Sequence, residues 1–93
     1  TDTLAGHNAI TSAGAKMSKL DSKTRELISL AVAVTTRCDG CISFHAGNAI
    51  THGASLEELA EALGVAVAMN AGAALVYSAR ALDAFDSLSS GQG

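Results

Sequence analysis

An all-helical fold is what this sequence predicts, and three observations predict it. No stretch of the 93 residues alternates apolar and polar side chains as a half-buried strand does. Hydrophobic residues make up 48% of the chain and aromatics 3%, so the apolar content is chiefly alanine, leucine and valine, side chains that let helices approach closely. Proline, the strongest helix breaker, is absent. One small domain of about five helices over residues 1–86 is expected, a compact bundle followed by a polar tail at 87–93 with no reason to fold. The apolar content exceeds what one small monomer hides easily, which points to a homo-oligomer.

The first helix, Asp2 to Lys19, is weak: Leu4, Ile10, Ala13 and Met17 make a narrow stripe, and Gly6 and Gly14 lower its stability. Asp21 or Ser22 caps a second helix running to Thr36. From Leu27 to Thr36 it carries no charge, the mark of a central helix, yet Glu26 shares a stripe with Leu30 and Ala33. The third helix runs from near Cys38 to Gly53, a C-terminal cap after His52. Ser55-Leu56-Glu57-Glu58 reads as a capping box, with Leu56, Leu59, Ala60, Leu63 and Val67 as the buried stripe behind it. That helix is expected to end near Met69, where Asn70-Ala71-Gly72 bends the path into a last helix. There Leu75, Ala79, Leu82 and Phe85 supply a buried face, with Arg80 and Asp83 paired outside.

Several classes of partner are disfavoured. The formal net charge is −3 and no basic run is present, which argues against nucleic acid. The longest apolar run, Ala62 to Val76, contains Asn70 and falls short of the roughly 20 residues of a membrane span. No export signal is visible, so the two cysteines are expected in a reducing cytoplasm, where a C-x-x-C pair usually signals redox chemistry or metal.

Both cysteines fall in Arg37-Cys38-Asp39-Gly40-Cys41-Ile42-Ser43-Phe44-His45. On a helix this spacing places Cys38, Cys41 and His45 within an arc of roughly 60°. Two thiols one turn apart can reach disulfide distance, and the imidazole can exchange a proton with Cys41. In an antiparallel hairpin pivoting at Arg37, Glu26 falls roughly 16 Å before the turn and His45 roughly 11 Å after it, about one helical turn apart. Glu26 is thus a candidate orienter of His45. Helix-terminus electrostatics and Arg37 favour Cys38 as the more acidic thiol. Zinc on Cys38, Cys41 and His45 lacks a fourth ligand, because His52 lies roughly two turns beyond His45. Two small buried hydrophobes are the remaining reading of the cysteines.

The residues Asp21-x-Lys23-Thr24-x-Glu26-Leu27-Ile28-x-Leu30-Ala31-Val32-Ala33, then Arg37-Cys38-Asp39-Gly40-Cys41-Ile42-x-Phe44-His45, resemble the alkylhydroperoxidase D and carboxymuconolactone decarboxylase family. Gly53-Ala54-x-x-Glu57-Glu58-x-x-Glu61-Ala62-Leu63-Gly64 continues the likeness, which extends from about Leu20 to Phe85. The resemblance implies a helical homo-oligomer, a trimer or hexamer, acting as a cofactor-independent, metal-free thiol peroxidase or disulfide reductase in antioxidant defence. Catalytic roles would fall to Glu26, Cys38, Cys41 and His45. Cys41 would form the sulfenic acid, Cys38 would resolve it, and Glu26 with His45 would relay protons. The substrate would be a peroxide or disulfide, the reductant a dithiol or a lipoylated protein. Gly40 stands where the best-studied peroxidases carry a second histidine, and those enzymes hold two copies of the helical unit where this chain has one. The other branch of the family implies a lactone acid decarboxylase, which does not depend on a cysteine pair. A redox-sensing module without turnover is the third reading.

Overall fold

A computed structural model describes residues 1–91, and among them the fold is all-α. Four helices follow one another: α1 (Asp2–Ala15), α2 (Ser22–Thr36), α3 (Asp39–Thr51) and α4 (Leu56–Gly91). Each boundary has a local cause. The Thr1 hydroxyl caps α1. Asp21 caps α2 by accepting from the Thr24 amide at 2.8 Å, and hydrogen bonding from Thr24 holds its carboxyl below the ordinary range. α2 ends where Arg37 turns left-handed, at φ 57°, and the Cys38 amide reaches back to the Ala33 carbonyl at 3.1 Å. α3 stops in the same way at Gly53, φ 83°, with the Ala54 amide on the Ala49 carbonyl at 2.9 Å. The left-handed turn is easy for Gly53 and costly for Arg37, which carries a Cβ.

The capping box forms reciprocally: the Ser55 amide donates to Glu58 Oε1 at 2.9 Å and the Glu58 amide to Ser55 Oγ at 3.1 Å. Glu58 Oε2 also takes the Lys23 ammonium at 2.8 Å, which ties the start of α4 to the start of α2. That contact raises the Lys23 pKa and lowers that of Glu58.

α2 is the central rod. α3 packs on one side of it and the first half of α4 on the other, while α3 and α4 do not pack on each other. Among the described residues the buried ones are Leu30 and Ala33 on α2, Ala49 on α3 and Ala66 on α4. Three of these four are alanines, so backbones rather than large side chains set the helix spacing. Behind the capping box Leu59, Ala62 and Leu63 of α4 are partly buried and Ala66 is buried, whereas Leu56, Ala60 and Val67 are exposed.

The structure departs from the expected path at three places. α1 ends at Ala15 rather than Lys19, and its stripe of Leu4, Ile10, Ala13 and Met17 is exposed. The break at Asn70-Ala71-Gly72 does not occur, so there are four helices rather than about five, and α4 is one rod of 36 residues, about 54 Å long. Asn70 holds the helix instead of ending it: its side-chain amide donates to the Ala66 carbonyl at 2.7 Å and to Thr35 Oγ1 at 3.1 Å. The alanines flanking Gly72 offset the glycine's cost of about 1 kcal/mol. Third, residues 87–91, expected as part of a polar tail, continue α4; residues 92 and 93 lie outside the described residues.

Past Ala66 every described residue of α4 is exposed, including Leu75, Leu82 and Phe85, which the sequence assigns to a buried face. Arg80 stacks over the Tyr77 ring at 5.4 Å from its centroid. The chain is accordingly elongated, 61 × 38 × 25 Å, with a radius of gyration of 18.8 Å where a compact domain of this length has about 12 Å. By length and composition α4 also meets the criterion for a membrane-crossing helix, which the broken helix expected from the sequence did not. Its charge-free stretch, Ala62 to Ala79, is about 27 Å long, slightly short of a typical hydrocarbon core.

Candidate active site

The turn between α2 and α3 builds the site. The left-handed Arg37 reverses the chain, so the end of α2 and the start of α3 lie side by side. Cys38 becomes the N-cap of α3, its sulfur accepting from the Cys41 amide at 3.3 Å. Cys41 sits in the first turn, with a Cα–Cα distance of 5.2 Å from Cys38, and the two sulfurs are joined as a disulfide. Cys38 is half-buried and Cys41 exposed, so the second cysteine is the one that solvent reaches more freely. A thiol at this position meets the positive end of the α3 dipole once the bridge is reduced.

His45 follows one turn after Cys41 on the same helix. Its Nδ1 lies 2.6 Å from Glu26 Oε2, across the α2–α3 interface. The Glu26 and His45 side chains are 16% and 27% exposed, so the pair is shielded without being sealed. With Nδ1 held by the carboxylate, Nε2 is the nitrogen left to exchange a proton with a neighbour. Phe44 presents its ring edge-on to the imidazole at 5.1 Å between centroids.

Cys41 and His45 line one open groove of about 280 Å³ on the outer side of α2. Ile28, Val32 and Ala33 give it an apolar floor, and Ser29 and Thr36 complete it. The two hydroxyls donate to backbone carbonyls, Ser29 to Arg25 at 2.8 Å and Thr36 to Val32 at 3.1 Å. They therefore offer the groove acceptor lone pairs rather than protons.

All four residues singled out from the sequence, Glu26, Cys38, Cys41 and His45, thus come together. The groove floor and the Phe44 contact were not singled out. Stepping along α2 in turns from Ile28 to Val32 and then Thr36 would have traced that face. His52 stands apart as the C-cap of α3. Among the described residues, no group of three or more His, Cys, Asp or Glu side chains is arranged to hold a metal ion.

The chain is similar to proteins from several bacteria and an archaeon. An uncharacterised protein of Haemophilus influenzae is 57% identical over 82 residues, which cover 88% of this chain and 73% of that protein. An uncharacterised protein of Cupriavidus necator is 34% identical over 85 residues, covering 91% and 75%. Uncharacterised protein 4 in the cox locus of Paracoccus denitrificans is 42% identical over 69 residues; the match spans 62% of its length and 74% of this chain. Among solved structures, a protein from Methanobacterium thermoautotrophicum superposes with a TM-score of 0.75 at 32% identity, covering 86% of this chain and 92% of that one. The sequence profile of the carboxymuconolactone decarboxylase family matches residues 2–84, nearly the whole chain. This chain belongs to the carboxymuconolactone decarboxylase family.

Proposed function

We propose that the protein is a thiol-dependent peroxidase or disulfide reductase of the alkylhydroperoxidase type. One observation carries this reading: a shielded carboxylate–imidazole pair adjoins a two-cysteine bridge, and His45 shares its groove with Cys41. In the reduced state His45 takes the Cys41 proton, and the thiolate attacks the distal oxygen of a hydroperoxide. The O–O bond breaks, Cys41 becomes a sulfenic acid, and the proton passes to the departing alkoxide. The Cys38 thiol then displaces hydroxide from that sulfenic acid, releasing water and closing the bridge. Two thiol–disulfide exchanges with an external dithiol, a small molecule or a lipoylated protein, restore both thiols and leave the donor oxidised. Such a cycle suits a reducing cytoplasm and needs neither metal nor organic cofactor.

Cys41 is the attacked residue in this scheme because it is the more exposed thiol and borders the groove with His45. Cys38, nearer the dipole and Arg37, is its electrostatic rival. Brief peroxide treatment of the reduced protein followed by a sulfenic-acid probe tests the assignment. Label is expected on Cys41 and is expected to vanish, with peroxide consumption, in Cys41→Ser. Label that persists unchanged in that variant reverses the roles.

The other branch of the family supplies a second reading, decarboxylation of a lactone acid, which does not depend on a cysteine pair and against which Cys38 and Cys41 argue. Decarboxylation that survives replacement of both cysteines by serine would establish it. A reversible bridge with no turnover of any peroxide or dithiol would instead identify a redox-sensing module. The exposed apolar faces of α1 and α4 favour a homo-oligomer as the working form.

A further inference from the structure

The bridge between Cys38 and Cys41 brings two sulfur atoms to one point at the start of α3, with 5.2 Å between their Cα atoms. The backbone around them is held independently of that bridge. The Cys38 amide donates to the Ala33 carbonyl at 3.1 Å, and the Ile42 amide to the Cys38 carbonyl at 3.0 Å. When the bridge is reduced, the same turn therefore presents two thiols spaced to grip one atom between them.

What such a pair can grip follows from the number and softness of its donors. Among the described residues no group of three or more His, Cys, Asp or Glu side chains is arranged around a metal ion. His45 is engaged by Glu26 through Nδ1, and His52 caps the far end of α3. Zinc, which takes four ligands, is left two short. Two thiolates alone suit a soft ion that is satisfied by two donors, and among the metals of cells that ion is copper(I).

Charge is accommodated on the same turn. Two thiolates around a monovalent cation keep a single negative charge, and it falls at the N-terminus of α3, where the helix dipole favours an anion. The Cys41 amide already donates to the Cys38 sulfur at 3.3 Å. Arg37 and Asp39 flank Cys38 with opposite charges, so the amides supply the net stabilisation. Access suits an ion handed over by another thiol: Cys41 is exposed at its groove and accepts the ion first, and half-buried Cys38 closes on it second.

We propose that the reduced Cys38–Cys41 pair is a copper(I) site. One ion replaces the two thiol protons, which leave to solvent; two S–H bonds give way to two Cu–S bonds, and no electron is transferred. The disulfide form has no thiolate to offer, so bridge and ion exclude each other. The ion would occupy the sulfurs that the proposed redox cycle uses, but its binding does not depend on that cycle.

The test titrates copper(I) bicinchoninate into the reduced chain in the absence of oxygen, with circular dichroism verifying the fold of each variant. The chain is expected to withdraw one ion and to keep it against ~1 mM glutathione, because its second sulfur is already within reach when the first has bound. The disulfide form is expected to withdraw none. Cys38→Ser and Cys41→Ser are each expected to weaken binding at least ~100-fold, while His45→Asn leaves it unchanged. X-ray absorption at the copper edge is expected to show sulfur as the sole neighbour. Loss of the ion to glutathione identifies adventitious thiol binding and overturns the proposal. So does binding by the disulfide form, a serine variant that binds like the wild type, or a loss in His45→Asn as large as in the serine variants. Zinc withdrawn from 4-(2-pyridylazo)resorcinol and held as tightly as copper(I) overturns it too. Absence of peroxidase activity would alter none of these readouts, so the two ideas fail separately.

Discussion

Glu26 Oε2 and His45 Nδ1 meet at 2.6 Å although nineteen positions separate them in the chain. The contact joins the central helix to the helix that carries the thiols, and it fixes which imidazole nitrogen remains available. In Glu26→Gln the amide can still hold the ring in place but no longer sets a negative charge against Nδ1. The rate of peroxide reaction at Cys41 is expected to fall about 10- to 100-fold, and His45→Asn is expected to fall at least as far. Because the two residues act as one unit, the double variant is expected to be little slower than His45→Asn alone. Stopped-flow peroxide consumption by the reduced protein measures all three, and additive losses would separate the two roles.

Arg37 occupies a left-handed conformation that glycine adopts without strain. Arg37→Gly is expected to raise stability by up to about 1 kcal/mol. The same change removes the cation beside Cys38, so alkylation of the reduced thiols near pH 7 is expected to slow severalfold. Thermal unfolding and iodoacetamide kinetics on one preparation check both halves. A gain in stability with unchanged thiol reactivity would leave Arg37 without an electrostatic role.

The Lys23–Glu58 contact makes stability depend on pH at both extremes. Its hydrogen bond lowers the Glu58 pKa from an ordinary 4.5, so the carboxylate's contribution is present above that value and is lost as pH falls through the lower folded value. Asp21, lowered from 3.8 by hydrogen bonding from Thr24, adds a loss of the same sign in acid. Lys23 is raised from 10.5 by Glu58, so its contribution holds below 10.5 and is lost as pH rises through the higher folded value. Both partners are partly solvent-accessible, so the effects are small and shrink in 1 M salt. Melting temperatures of wild type and Glu58→Gln across pH 2–12 are expected to differ near neutrality and to converge in acid.

Leu30 is the one large residue among the four buried ones, at 3% exposure. Leu30→Ala is expected to cost about 3 kcal/mol, because it enlarges the hollow that Leu30 lines with Ala46 and Ala49 of α3 and Leu59 of α4. Ser55→Ala, which removes the cap of α4, is expected to cost about 1 kcal/mol. Urea denaturation at fixed protein concentration ranks the two.

The sequence by itself determined the local events, because these depend on residues a few positions apart. Asp21 and the Ser55–Glu58 box announce where α2 and α4 begin, and Gly53 where α3 ends. The spacing of Cys38 and Cys41 specifies two thiols one turn apart, and the charge-free stretch of α2 from Leu27 to Thr36 specifies a central rod. Glu26 could be paired with His45 before any fold was known, because a hairpin at Arg37 sets their heights along the two helices. Only the tertiary structure decided whether Asn70 ends a helix or holds one, since the deciding hydrogen bond goes to Thr35, 35 residues away. It also decided which apolar stripes are covered within the chain. Periodicity marks Leu59 and Leu82 alike as residues that seek burial, but α2 is long enough to cover only the first half of α4, and the second half must find its cover elsewhere.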